Sequence, residues 1–375
     1  MNGEAAARRV IEDAHRARTF PAAAFDVGTS STSLWTGAIG TLTFEAAAPP
    51  ATLATPFDLA SLTKVIATTS VVMELVRTGK LRLDEPVSAF FADWRGTDRD
   101  GVTVRDLLEH ATGLPARLID QPPGTRREFE HEIGRIKLEY APRASSVYSD
   151  LGFILLAFLA ADRGGAPLAE QFERITVRLK ADATYDGGGD LDVRSVRLQA
   201  DRDPDVPTFG LAPDLRALAA PTRPMDQDVR RGRLLAGEVH DNYAAALGGD
   251  AGHAGLFGTA PAVGVFARAV LKAARGAPDA PLPFTPALVR AFTARTTVPG
   301  SSRALGWDTM LPTSSCGTRL SPEAFGHVGF TGTSLWIDPP RDRYFVLLTN
   351  RVCDGGTLEE MRAVRRAFHD ALGDS

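Results

Sequence analysis

A serine and a lysine stand three residues apart in "DLASLTKVIATTS", Asp58 to Ser70. A serine hydroxyl is a poor nucleophile until something removes its proton. A lysine amine can do this when burial lowers its pKa, because desolvation disfavours the ammonium form. Three residues is almost one helical turn, so Ser61 and Lys64 would share a face. Between Leu62 and Met73, Lys64 is the sole cation in a mostly apolar run. Lysine is rarely placed on a buried face without a partner or a task. Ser61 at the head of such a helix would also present free backbone N–H groups to a developing oxyanion.

Two further stretches carry residues of the right type. "ASSVYSDLGFILL" sets Tyr148 and Asp150 just ahead of an apolar helix. A phenol beside an ammonium has its anion stabilised and can relay a proton to a leaving group. Packing alone would also account for Tyr148, and Asp150 or Ser149 would serve as an N-cap. "FGHVGFTGTS" puts His327, Gly329 and Gly332 on a late strand. Glycine in a strand marks a bulge or the close approach of another backbone. A substrate lying there could accept hydrogen bonds from the strand, one of them completing an oxyanion hole with the Ser61 N–H. Taken alone, His327 reads equally well as a structural histidine.

These residues need elements to position them. The N-terminal segment reads as an amphipathic helix. "AAAFDVG" and "TSLWTGAIG" form a hairpin across "GTSS", and a helix is expected from Ser61 to Thr78, stopped by Gly79. From about Asp84 the pattern turns helical, with "TVRDLLEHATG" and "DLGFILLAFLAADRGG" each ended by glycine. Long loops are expected between Thr184 and Met225, and specificity is expected in that stretch and around Gln121 to Glu130. After Gly255 come the helix "PAVGVFARAVLKAAR", the strands "FGHVGFTGTSLWID" and "RYFVLLTNR" joined across "PPRD", and a terminal helix from Thr357 to Leu372. The expectation is an α/β (α+β) domain built from residues 1–84 and 250–375, with a mainly helical domain, residues 85–249, inserted between.

Composition narrows the function classes. The 375 residues carry a net charge of −4, which does not favour nucleic acid or an acidic membrane surface as a partner. Cys316 and Cys353 are too few for a disulfide framework. No apolar signal region is seen near Met1, so a cytoplasmic location is expected. "LGFILLAFLAA" is too short to span a bilayer. Glu238, His240, Asp241, Asp250 and His253 cluster in "GEVHDNYAAALGGDAGHAGLF", but their spacing fits no zinc motif, and neither a metal nor a cofactor is expected.

Ser-x-x-Lys, Tyr-Ser-Asp and His-x-Gly, in that order, resemble the serine β-lactamase and penicillin-binding protein superfamily, closest to its class C β-lactamase-like group. The resemblance covers about Pro21 to Leu372. It is carried by "FDLASLTKV", "TVRDLLEHATGLP", "YSDLGFILL", the segment from Gly237 to Phe257 and "GHVGFTGTSLWIDP". It implies an antiparallel sheet flanked by helices, an all-helical domain beside it, and a site between the two. Ser61 would be the acylated nucleophile, Lys64 its proton acceptor and Tyr148 a general acid/base. The N–H groups of Ser61 and Phe330 would form the oxyanion hole, with Asp150, His327 and Gly329 near the substrate. The implied activity is that of a serine hydrolase on a small ester or amide, of esterase or D-amino-acid-directed peptidase type. Two rivals are a non-catalytic binding protein on the same fold and a true β-lactamase. Asp150 stands where class C β-lactamases have asparagine. His327-Val328-Gly329 stands where antibiotic-binding members carry Lys-Thr-Gly, which removes a permanent charge useful for holding a carboxylate. Turnover of β-lactams is therefore expected to be slow or absent.

Overall fold

The computed structural model describes residues 3–118, 121–184 and 205–373. Helix α1 (Gly3–Arg16) leads into the hairpin of β1 (Ala22–Gly28) and β2 (Ser33–Gly40), then the short β3 (Phe57–Asp58). Helix α2 (Thr69–Arg77) follows a π-helical segment, Lys64–Thr68. Next come α3 (Val104–Leu108), α4 (Arg126–Arg135), α5 (Asp150–Gly164) and α6 (Leu168–Thr184). Then come β4 (Thr208–Phe209), α7 (Pro213–Arg216), α8 (Asn242–Ala246), β5 (Leu256–Gly258), α9 (Ala260–Ala274) and α10 (Pro286–Thr293). The chain closes with β6 (Asp308–Thr309), β7 (Phe325–Val328), β8 (Ser334–Asp338), β9 (Arg343–Thr349) and α11 (Leu358–Leu372).

Strands from both ends of the chain make one antiparallel six-stranded sheet, ordered β2-β1-β9-β8-β7-β6. Strand residues alternate between faces, and the two faces feed different cores. Ala22, Ala24, Leu335, Ile337, Val346 and Leu348 pack with α9 and the α2/α5 helices. Ala23, Phe25, Val27, Trp336, Phe345 and Leu347 pack with α1 and α11. Helices thus cover both faces, and every residue of β1 is buried. Helix α5 is apolar almost all round and buries each residue from Asp150 to Ala160, as a central helix must. Gly165 ends it in the left-handed conformation, φ 72°. No single described helix is long and apolar enough to cross a membrane.

Two expectations need correction. "FGHVGFTGTSLWID" is two strands, β7 and β8, around a turn. Gly329 N–H donates to the Thr333 carbonyl at 2.8 Å, and Gly332 sits at φ +111°, where a side chain would be strained. The stretch from Ser61 to Thr78 is not one regular α-helix. Leu62, Thr63 and Lys64 donate to residues 59, 60 and 61, which is 3₁₀ geometry, and Thr69 N–H then reaches back to Lys64 O in a π turn. Of the loops expected between Thr184 and Met225, residues 185–204 lie outside the described residues. The stretch Gln121 to Glu130 includes the first turns of α4.

A second, three-stranded sheet, β3-β5-β4, bears directly on chemistry. Phe57 and Asp58 pair with Gly258 and Phe257, and Leu59 N–H donates to Leu256 O at 2.9 Å. The residues leading to Ser61 are thereby fixed against those following His253.

Candidate active site

Ser61 follows a turn that the local sequence holds in an unusual shape. Ala60 has φ +48°, a left-handed conformation costly for a residue with a Cβ. Asp58 Oδ1 accepts the Ala60 N–H at 2.8 Å and its Oδ2 accepts the His240 N–H at 2.6 Å, which stabilises the turn. Burial pushes the Asp58 carboxyl up to about 6, against the pull of these two backbone donors.

Three side chains meet at this turn. Tyr148 donates its hydroxyl to Ser61 Oγ at 2.6 Å, and Lys64 Nζ donates to the same oxygen at 3.0 Å. Lys64 is wholly buried and also donates to His253 O at 3.0 Å and to Asp150 Oδ1 at 2.8 Å. Tyr148 is held from behind by His110, whose ring lies 4.8 Å away. His110 Nδ1 accepts the Ser149 N–H at 3.1 Å, and its carbonyl accepts the Val147 N–H. His110 is in the left-handed region, φ +54°, where such residues tend to mark functional sites.

The charge state of Lys64 differs from expectation. Burial alone would lower its pKa, but the Asp150 carboxylate and the Tyr148 oxygen outweigh burial and leave it raised. Burial raises the Tyr148 phenol against the pull of the Lys64 charge. At neutral pH the trio therefore rests as an ammonium and a phenol, and one proton must leave the pair before Ser61 can be deprotonated.

Of the two candidate caps for α5, Asp150 does not hold the N-cap position. The N-cap position of α5 is Ser149, which makes no side-chain cap and donates its hydroxyl to Pro115 O at 2.6 Å. Asp150 occupies the first turn as a counter-ion to Lys64 and so cannot take the place of an amide donor to a substrate. Its Oδ2 accepts from Arg117 Nη1 at 2.9 Å, and the same nitrogen donates to Asp241 Oδ2 at 2.6 Å. Arg117 Nη2 donates to Asn242 Oδ1 at 2.7 Å, and His253 Nε2 is 2.7 Å from Asp241 Oδ1. Burial would raise both carboxyls, but the surrounding cations hold Asp150 below, and Asp241 well below, the usual carboxylate range. One donor atom each from Asp150, Asp241 and His253 lies within 4.8 Å of the others, but both carboxylates accept from Arg117 and His253 Nε2 contacts Asp241. Of the clustered acids and histidines in that segment, Asp241 and His253 join the network, whereas Glu238 pairs with Arg233 at 2.6 Å.

His327 is buried with Nδ1 2.8 Å from Val328 O and Nε2 unpartnered among the described residues, its ring 5.9 Å from that of Tyr148. Burial and the nearby Arg303 and Lys64 charges hold it well below its usual pKa, so it is neutral. Gly329 lies against the nucleophile turn. A Cβ there would stand 2.7 Å from Leu59 O and 2.1 Å from Thr333 Oγ1, so the close backbone approach is real. Thr331 and Thr333 reinforce it by donating to the Asp58 and Leu59 carbonyls at 2.8 and 3.0 Å. Phe330 protrudes from this turn, 44% exposed, and stacks on His240. Ser61, Tyr148, Asp150, Arg117, Met225 and Phe330 help line a cavity of about 230 Å³.

Arg117, His110 and Arg303, whose guanidinium lies 5.2 Å from the Tyr148 ring centre, were not singled out by the sequence. Arg117 follows "ATGLP" closely, but nothing local shows that its partners lie 33 and 124 residues away.

A sequence model described as Beta-lactamase matches residues 7–368. The chain is 29% identical over 330 residues to an Escherichia coli (strain K12) protein named "Putative D-alanyl-D-alanine carboxypeptidase", covering 80% of this chain and 70% of that one. Among solved structures it resembles EstCE1, described as a hydrolase with promiscuous acyltransferase activity, with a TM-score of 0.70, 19% identity and 98% of both chains covered. It also resembles a class C beta lactamase from Rhodobacter sphaeroides, with a TM-score of 0.71, 17% identity and 98% of both chains covered.

Proposed function

The chain belongs to the Beta-lactamase family and is a serine hydrolase, and from that premise we propose that Ser61 forms an acyl-enzyme with a small ester or amide. The observation that carries this reading is the convergence of Tyr148 OH and Lys64 Nζ on Ser61 Oγ, at 2.6 and 3.0 Å. With the Lys64–Tyr148 pair short of one proton, that pair takes the Ser61 proton as Oγ bonds to the substrate carbonyl carbon. The carbonyl π electrons move to the oxygen, which the N–H groups of Ser61 and Phe330 receive. Collapse of the tetrahedral adduct breaks the bond to the leaving group, which takes its proton from Tyr148. Water then releases the acyl group by the same steps in reverse.

The cavity supports this substrate class. A volume of about 230 Å³ beside Ser61 suits a small acyl group, with Phe330 and Met225 as apolar walls. The names of the carboxypeptidase and acyltransferase relatives both describe acyl transfer, and they support this reading at that level. Incubation with a short p-nitrophenyl ester, and separately with a penicillin, followed by intact-protein mass spectrometry tests it. A covalent adduct mapped to Ser61 and p-nitrophenol release are expected with the ester, with slow or no turnover of the penicillin. No adduct and no release from either reagent would favour a non-catalytic binding protein.

A further inference from the structure

The turn that carries Phe330 is backed by two buried arginines with no carboxylate partner among the described residues. Arg365, from α11, is 5% exposed, and its Nη2 donates to Gly329 O at 2.6 Å and to Thr333 O at 2.9 Å. Arg351, just after β9, is 7% exposed. Its Nη2 donates to Phe330 O at 2.7 Å, its Nη1 to Gly356 O at 2.9 Å, and its guanidinium lies 5.0 Å from the Phe330 ring centre. The Nε of each is buried without a partner among the described residues. Arginine keeps its proton in proteins, so the fold holds two positive charges behind one turn. Burying unpaired charge is costly, and such an arrangement persists when something else requires it.

The requirement lies in the peptide geometry. Gly329 C=O and Phe330 N–H belong to the same peptide unit, so a cation bonded to that oxygen strengthens the hydrogen on that nitrogen as a donor. Gly329 O already accepts the Gly332 N–H at 3.1 Å, so Arg365 is not needed merely to satisfy it. Neither Phe330 N–H nor Ser61 N–H has a partner among the described residues, which leaves both free for an incoming oxygen.

We propose that Arg365 and Arg351 are positioning residues for the oxyanion hole, both fixing the 329–333 turn from behind, with Arg365 polarising Phe330 N–H through the Gly329–Phe330 peptide and Arg351 holding the following carbonyl, Phe330 O, so that the tetrahedral oxyanion meets positive charge. The proposal rests on Phe330 N–H facing that oxyanion, as in the function proposed above. It adds a charge balance: the negative charge that forms on the carbonyl oxygen when Ser61 Oγ attacks is answered by two cations already paid for in the resting fold. Burial makes both guanidiniums hold their protons less tightly than usual, and the Arg351 charge adds to this at Arg365, which falls to about 9, as expected of cations lacking an anion.

The test compares the wild type with Arg365→Met, Arg365→Gln and Arg365→Lys. Gln can hold the carbonyl without the charge, and Lys keeps the charge. Two readouts are taken: the amide proton shift of Phe330 by NMR on the unliganded protein, and kcat and KM for a p-nitrophenyl ester. Direct loss of one oxyanion donor costs on the order of 10²–10³ in kcat, so this indirect effect is expected at roughly 10- to 100-fold. The expected result is an upfield Phe330 amide shift and a lower kcat at nearly unchanged KM in Met and Gln, with partial recovery of both in Lys. An unmoved amide, a loss confined to KM, or Gln matching the wild type would overturn the proposal. If Met does not fold, the Gln and Lys variants decide. Absence of turnover in the wild type would defeat the catalytic reading, while the amide shift still decides whether the arginines polarise the turn.

Discussion

Lys64 Nζ and Asp150 Oδ1 are 2.8 Å apart in the protein interior, and this contact sets the protonation of the whole nucleophilic group. A lysine sealed among apolar side chains would shed its proton near neutrality; one facing a carboxylate does not. Arg117 shares Asp150 from the other side and weakens that hold without releasing it.

The pH dependence of turnover follows from this contact. With the Lys64 pKa raised, the form of the pair able to accept the Ser61 proton accumulates as pH rises, so kcat/KM should climb on the alkaline side of neutrality. Asp150→Asn removes the stabilising charge, lowers the Lys64 pKa and should move this limb to lower pH. An unmoved limb in the pH–rate profile of that variant would show that Asp150 does not tune the lysine.

Tyr148→Phe removes the hydroxyl on Ser61 Oγ and leaves the ring between His110 and His327. Loss of a general acid/base costs typically 10²–10⁴, so kcat should fall about that much while the melting temperature holds. Steady-state kinetics with thermal melting separate this from a packing defect.

Gly329→Ala should damage activity more than its one methyl group suggests. The new Cβ would meet Leu59 O and Thr333 Oγ1 and push the Phe330 turn away from the Ser61 turn. A kcat loss of on the order of 10²-fold is expected, comparable to loss of an oxyanion donor, with a smaller change in stability. Wild-type kcat with lowered stability would place the strain elsewhere.

Acid should unfold the protein by way of its ion-pair network. Asp150 and Asp241 have folded pKa values below their unfolded ones, so the stability they contribute is present above about pH 4, the unfolded carboxyl range, and is lost as pH falls through their folded values. Asp241→Asn keeps an oxygen to cap α8 but leaves Arg117 short of a partner. Breaking a buried pair costs on the order of 3 kcal/mol, which urea titration at pH 7 would measure, and the loss should shrink in acid. A variant as stable as the wild type at pH 7 would mean that Asp150 alone suffices for Arg117.

What could be read from the sequence was local. The periodicity of "DLGFILLAFLAADRGG" and the turn residues of "GTSS" specify α5 and the first hairpin with little tertiary help. Ser61, Lys64 and Tyr148 stood out because a nucleophile needs those residue types, and the structure brings them together. The sign of the Lys64 shift was not legible, since it depends on a carboxylate 86 residues away. "FGHVGFTGTSLWID" read as continuous strand because β-branched and aromatic residues flank its glycines. The turn appears only once Thr331 and Thr333 find the Asp58 and Leu59 carbonyls. Arg351 and Arg365 gave no signal, because an arginine without a carboxylate looks like any surface cation until its burial is known.

The pairing of β1 with β9, which sets Ala23 opposite Thr349, governs the order in which the molecule can be built. During synthesis the first hairpin leaves the ribosome with its β1 edge unpaired, and that edge stays open until β9 has emerged. The segment bearing Phe330 emerges just before β9, so the nucleophile exists long before anything that could receive its oxyanion. Premature termination anywhere upstream of β9 therefore yields a chain with an exposed strand edge and no working site, a product for chaperones and proteases to clear.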